Sequence, residues 1–306
     1  MMTEAQKMVL DGLAEVRYDE PMSAHTTFRI GGLAEAFVMP SEEELPEVIA
    51  FARCEGIPVT ILGNGSNVLV ADEGVSGIVI SIGAPMAEIY IKNKEMTVGA
   101  GARLSAVARA AGEAGLSGLE FAAGIPGSVG GAVVMNAGAY GGQMADVLTG
   151  VTVCDGQGQK RPYAAEELAL SYRHSIFMEE AHRDEIVMSV SLRLQSKDPA
   201  KIQAQMEDFN ARRRQKQPLE YPSAGSTFKR PEGYFAGKLI QDAGLAGYTI
   251  GGAQVSEKHC GFVINRGNAT AQDVASLINH VKNEVQRTAG VRLEEEVRFI
   301  GTQKDD

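Results

Sequence analysis

The 306-residue chain has no tryptophan, only three cysteines and five histidines, and fewer basic residues (29) than acidic ones (39). Cys54, Cys154 and Cys260 are far apart and form no CxxC, which argues against a disulfide framework and a thiolate metal site and predicts reduced structural thiols. The net charge of −10 argues against general binding to nucleic acid or anionic membranes. No apolar run reaches the roughly 18 residues of a membrane span, and no charged-then-apolar leader is visible. A cytoplasmic protein without membrane insertion is therefore expected. No HExxH, metal-spaced Cys/His set or nucleophile elbow occurs, so no metal is expected.

What the chain has in quantity is glycine. AGIPGSVGGAVVMNAGAYGG (123–142) carries seven glycines and no charge. Each glycine inside a regular element costs roughly 0.5–1 kcal/mol against alanine, so a plain helix or strand is not expected there. Ile125, Val129, Val133, Val134 and Met135 make it too apolar for a solvated linker. A second loop, GNGSN (63–67), follows the apolar run Val59–Leu62. Successive N–H groups in such loops form concave nests for phosphate oxygens, so a diphosphate needs no lysine there. The alternative is that the glycines only make tight turns. A doubly wound dinucleotide site is disfavoured, because Thr97-Val-Gly-Ala-Gly101-Ala-Arg-Leu104 has leucine in place of the third glycine.

Periodicity predicts helices over 4–16, 41–55 (opened by a Ser41/Glu44 capping box), 104–114, 165–170, 199–217, 235–243 and 273–289 (started at Thr270). Strands are predicted at 36–40, 59–62, 68–70, 77–82, 88–92, 96–98, 148–154, 186–194, 253–256, 261–265 and 296–300. The texture changes near Ser196, which divides the chain into 1–197 and 198–306, about two domains as the length suggests.

Several polar residues stand out, each with a plainer alternative. Arg173 in SYRHSIF (171–177) lies among aromatic and apolar neighbours and could bind a carboxylate bidentately, or form a surface ion pair. Ser226 in AGSTFKR could cap a turn, and Glu296 in LEEEVRFIG could be a strand-edge acid. Arg212, Arg213, Arg214 and Lys216 form a basic cluster that reads as a solvated helix face or as a hold on an anionic substrate.

Together the blocks HTTFRIGG (25–32), ILGNGSNVLV (61–70), FAAGIPGSVGGAVVMNAGAYGG (121–142), SYRHSIF (171–177), YPSAGSTFKRP (221–231) and LEEEVRFIG (293–301) resemble the UDP-N-acetylenolpyruvoylglucosamine reductase (UDP-N-acetylmuramate dehydrogenase) family, in its shorter type. The resemblance implies an α+β fold: residues 1–197 would be an FAD-binding domain of the vanillyl-alcohol-oxidase/p-cresol-methylhydroxylase kind with two subdomains, and 198–306 a substrate domain. It implies non-covalent FAD held by Arg29, by Gly63, Asn64, Gly65, Ser66 and Asn67, and by Gly124, Pro126, Gly127, Ser128, Gly130, Gly131, Asn136, Gly138 and Ala139. His25 is the nearest residue for a covalent tether, which is not expected. NADPH would be the co-substrate and UDP-N-acetylglucosamine-enolpyruvate the substrate, in peptidoglycan precursor synthesis. Hydride would pass from flavin N5 to the enolpyruvyl carbon. Arg173 and Glu296 would stabilise the resulting charge, and Ser226 would donate the proton. Lys229, Arg230 and Lys238 are the nearest cations for the UDP moiety. A monomer is expected. A related FAD-dependent alcohol oxidase, or a non-catalytic FAD- or UDP-sugar-binding regulator, are the other readings of the same front domain.

Overall fold

A computed structural model describes residues 1–301. Helix α1 (Glu4–Asp11) opens on a Thr3/Gln6 capping box and stops at Gly12, short of the predicted end. Val16–Pro21 is a strand instead, half-buried and exposed residues alternating along it with the period-2 pattern of a strand. Helix α2 (Glu44–Cys54) buries Leu45, Val48, Ile49 and Ala52. The Ser41/Glu44 box is formed: Ser41 N–H donates to Glu44 Oε2 (2.8 Å) and Glu44 N–H to Ser41 Oγ (3.3 Å).

A four-stranded sheet has the order Val16–Pro21, Leu33–Val38, Val75–Ser81, Val59–Leu62, the last two strands parallel. A five-stranded antiparallel sheet follows the order Lys160–Ala164, Leu148–Cys154, Ile186–Arg193, Glu95–Gly99, Ile89–Lys92. The edge strand KRPYA is polar and contains Pro162, which hides it from a hydrophobic reading and suits an edge. Helix α3 (Leu104–Glu113) buries Leu104, Val107, Ala108 and Ala111 in the same core.

The chain divides into two units that are not contiguous in sequence. The first comprises Met1–Tyr18, Ala36–Asn64 and Gly77–Arg213; the second comprises Asp19–Glu35, Gly65–Ser76 and the chain from Arg214 onward. This differs from a division at 197/198, and apolar burial explains why. In helix α5 (Pro199–Lys216), Ile202 and Met206 are buried in the first unit's core. Phe28, Ile30 and Leu69, early in the chain, are buried with Phe228, Val263 and Leu293 in the second unit's core.

The second unit contains the antiparallel strands Thr249–Ile250, Ala253–Val255 and Val263–Asn265, helix α6 (Ala236–Asp242) and the parallel pair Val68–Val70 with Arg298–Ile300. Helix α7 (Ala271–Ala289) is capped by Thr270 and ends at left-handed Gly290. The Asp72 carboxylate accepts from the N–H groups of Ala271 (2.8 Å) and Gln272 (3.0 Å), satisfying donors that a helix start leaves open. Among the described residues no helix is long and apolar enough to cross a membrane.

Just before the glycine-rich stretch, Glu120 is 5% exposed. Burial pushes its carboxyl pKa up, but donation from Ser117 Oγ (2.6 Å) and Gly118 N–H (2.7 Å), with Lys197 at 3.4 Å, brings the net below the usual value. A depressed folded-state pKa contributes stability above the unfolded value, about 4.3, and loses it as pH falls through the folded value. Glu120→Gln is expected to cost about 1–3 kcal/mol at pH 7 in urea unfolding. The difference from the parent protein should narrow below pH ~4.

Candidate functional site

In the first unit the two glycine loops meet. A Cβ on Gly63 would lie 2.4 Å from Ser128 Oγ, and the Asn64 amide donates to Pro126 O. Among the described residues, the backbone N–H groups of Gly63, Asn64, Gly127 and Ser128 donate to no protein group. Bare N–H donors converging from two loops fit the diphosphate of FAD. The stretch 123–142 then resolves into three pieces. After the loop comes a short helix, α4 (Val129–Val134), capped by Ser128 Oγ, where the glycine content had argued against any helix. Gly130 is required there because its Cβ would lie 2.9 Å from Ala100 Cβ. The third piece is a hairpin, Gly138–Ala139 against Gly142–Gln143. Tyr140 (φ 54°) and Gly141 (φ 87°) form its two-residue turn, both left-handed as a type I′ hairpin needs.

Arg173 also lies in the first unit. It occupies a tight turn in which Ser171 and His174 exchange N–H···O bonds of 3.2 Å each, and its φ is 54°. Its Nη2 donates to Gly138 O on the hairpin (3.3 Å), and its guanidinium lies 5.3 Å from the Tyr172 ring centroid. Asn136, expected at the cofactor, is 2% exposed and directs its amide to Ser171 O, Gln143 and Ala145 N–H.

In the second unit, Ser226 and Glu296 come together. Thr227, 1% exposed, anchors the serine loop from both sides. Its N–H donates to Gly261 O (2.8 Å), its Oγ1 accepts from Val263 N–H (3.0 Å), and its carbonyl accepts from Glu296 N–H (2.8 Å). Phe228 bridges Glu295. Ser226 therefore lies one residue from a direct backbone bond to Glu296. Asn67 joins the same segment, its amide donating to Glu296 O (3.0 Å). Gly65 (φ 61°) has no room for a side chain, since a Cβ would lie 1.9 Å from His25 O. Arg29 is exposed with φ 56°. His25 faces Glu20 at 2.7 Å.

The substrate cations differ in their settings. Lys229 is 3.4 Å from Glu294 and Lys238 pairs with Asp242. Arg230 stacks 4.0 Å over the exposed Phe235 ring and donates to Tyr234 O (3.2 Å), so it presents a cation and an aromatic face together.

Two arginines gain weight from the structure. Within the basic cluster, Arg212 pairs with Asp208 at 2.7 Å, whereas Arg213 is turned inward against Gly124. Its Nε is buried without a hydrogen-bond partner, Tyr140 lies beside it, and burial pushes its pKa down. The run of like charges gave no sign of which member turns inward. Arg298, two residues after Glu296, donates its N–H to Asn67 O (3.0 Å); its place in LEEEVRFIG was the available signal.

Residues 34–161 match the FAD binding domain family and residues 217–300 match the UDP-N-acetylenolpyruvoylglucosamine reductase C-terminal domain family. The chain is 54% identical over 295 residues to the UDP-N-acetylenolpyruvoylglucosamine reductase of Agathobacter rectalis, with 92% of this chain and 93% of that one covered. It is 47% identical over 305 residues to that of Exiguobacterium sibiricum, covering 98% and 99%. The crystal structure of the enzyme of that name from Thermus caldophilus superposes with a TM-score of 0.79 at 37% identity, over 94% of this chain and 98% of that one. The α+β architecture, with an FAD-binding domain and this C-terminal domain, is accordingly that of a flavin-dependent oxidoreductase, and the chain belongs to the UDP-N-acetylenolpyruvoylglucosamine reductase family.

Proposed function

We propose that the protein reduces the enolpyruvyl group of UDP-N-acetylglucosamine-enolpyruvate to UDP-N-acetylmuramate with NADPH, as a cytoplasmic step of peptidoglycan precursor synthesis. The observation that carries the reading is the 2.8 Å bond from Glu296 N–H to Thr227 O, which ties the loop carrying Ser226 to the segment carrying Glu296. Bound FAD would supply the two-electron chemistry, taking hydride equivalents from NADPH and delivering them to the enolpyruvyl double bond. The N–H groups of the two glycine loops would hold its diphosphate.

The protein's own groups handle charge and the proton. Adding hydride to the terminal carbon leaves negative charge on the carbon next to the carboxylate. Arg173 pairs with that carboxylate, where an electrostatic contact that strengthens as charge develops lowers the barrier. Glu296, in its protonated form, would donate a hydrogen bond to the same developing charge. Ser226 gives its hydroxyl proton to the carbanion. Serine is a weak acid, so it works only when held in place, and the Thr227 anchors do this. Arg230 and the Phe235 face, with Lys229 and Lys238, suit a diphosphate and a uracil.

The purified protein should be yellow, lose its long-wavelength flavin band on adding NADPH, and regain it with the enolpyruvyl substrate. Bleaching without substrate-dependent recovery would sink the reductase reading and leave an alcohol-oxidising flavoenzyme. NADPH and the UDP-sugar are expected to use one site in turn. Initial-rate plots should therefore be parallel, and intersecting lines would count against sequential occupancy.

A further inference from the structure

We infer that Asn136 and Ser175 are positioning residues that hold the Arg173 turn in place for substrate reduction. The inference rests on the reading of Arg173 given above and adds how its guanidinium is aimed. Asn136 follows α4 in the left-handed region (φ 40°) and is 2% exposed. Both donors of its amide and its carbonyl oxygen are engaged. Nδ2 donates to Ser171 O (2.9 Å) and to Gln143 Oε1 (3.1 Å), and Oδ1 accepts from Ala145 N–H (2.9 Å). One side chain thus ties together the turn that carries Arg173 and the hairpin whose Gly138 carbonyl receives its guanidinium. Gln143 is the residue paired with Gly138 across that hairpin.

Ser175 makes the second tie. It is fully buried, and its hydroxyl donates to Val134 O (2.7 Å), a carbonyl that the end of α4 leaves without a helical partner. The turn is therefore fastened on both sides of Arg173 to the C-terminal end of α4. Within it, Ser171 and His174 hold each other at 3.2 Å, and Arg173 keeps a left-handed conformation that a non-glycine residue adopts only under constraint. A buried amide with its donors and carbonyl engaged specifies one geometry. The polar side chain in the middle of an apolar, glycine-rich run acts on the arginine and is internal to the protein.

The test separates the half-reactions in the FAD-loaded enzyme. Asn136→Gly keeps access to positive φ and removes only the amide. It should retain flavin and be reduced by NADPH within about twofold of the parent, while reoxidation by the enolpyruvyl substrate slows roughly 10- to 100-fold, the scale of an ångström-sized misplacement. In a separate, activity-independent readout, the Ser171–Ser175 amides should exchange hydrogen faster in the variant. The double variant Asn136→Gly/Arg173→Ala should be no slower than Arg173→Ala, because a positioning effect cannot outlast the group it positions. Ser175→Ala should show the same pattern and carries the test if Asn136→Gly does not fold. Reoxidation at the parental rate in Asn136→Gly beside a slow Arg173→Ala would overturn the positioning role alone. So would equal loss in both half-reactions, or effects that multiply in the double variant. A parental rate in Arg173→Ala itself would overturn the reading of the arginine and this inference with it.

Discussion

Ser226→Ala will leave reduction of the flavin by NADPH nearly intact and will slow its reoxidation by the enolpyruvyl substrate by about 10²- to 10⁴-fold, the usual worth of a positioned general acid. The substitution removes one hydroxyl from a loop whose anchors belong to other groups. Thr227 keeps its bonds to Gly261, Val263 and Glu296, Asn265 keeps its N–H bond to Pro222 O, and Thr27 keeps its hydroxyl on Ser223 O (2.7 Å). No large change in unfolding temperature is therefore expected. Stopped-flow absorbance of the flavin, with each substrate in turn, reads both rates. Equal loss in the two half-reactions would make Ser226 structural. Thr227→Val offers the contrast. It removes the acceptor for Val263 N–H in a buried place, so it should lower stability by about 1–3 kcal/mol and disturb the loop as a whole.

Gly65→Ala should yield protein that loses FAD on gel filtration and unfolds at a lower temperature. Two effects add. The left-handed conformation (φ 61°) costs a non-glycine residue about 1–2 kcal/mol, and the new Cβ would meet backbone at 1.9 Å (His25 O) and 2.9 Å (Thr26 Cα). Backbone cannot rotate away as a side-chain tip can, so the loop must move. Its carbonyl bond from Thr27 N–H (3.0 Å) moves with it. Gly141→Ala separates the two costs. Gly141 is also left-handed (φ 87°) but has nothing within 4 Å of its would-be Cβ. It should lose only the conformational part and remain yellow. If both variants keep flavin equally well, the GNGSN loop is not the cofactor's cradle.

Elements whose stabilisation is local were legible along the chain. The Thr270 cap and apolar face of α7, the Ser41/Glu44 box of α2 and the apolar strands Val59–Leu62, Val68–Val70 and Leu148–Cys154 stand where periodicity put them. Elements stabilised by distant partners were not. The strand Lys160–Ala164 survives on its pairing with Leu148–Cys154 despite a polar sequence. Helix α4 forms among glycines because Ser128 caps it and Ala100 packs against Gly130. The seven glycines of 123–142 also divide by cause. Gly141 serves a turn, Gly130 and Gly142 admit protein neighbours, Ala100 and Phe121, and only part of the stretch is bare backbone suited to a ligand.

By itself the sequence determined the kind of protein. Six motif blocks in register carry the resemblance to a flavin-dependent reductase family, and that resemblance, rather than composition or periodicity, singles out Arg173, Ser226 and Glu296. Tertiary structure alone decided which parts of the chain fold together and what each polar group faces. Segments 19–35 and 65–76 belong with the C-terminal part because their buried Phe28, Ile30 and Leu69 find apolar partners there, and burial responds to contact in space and is blind to order along the chain. The same holds for the partners of the buried Asn136 amide. That amide spans 35 residues to reach Ser171, since a hydrogen bond needs only a partner within about 3 Å.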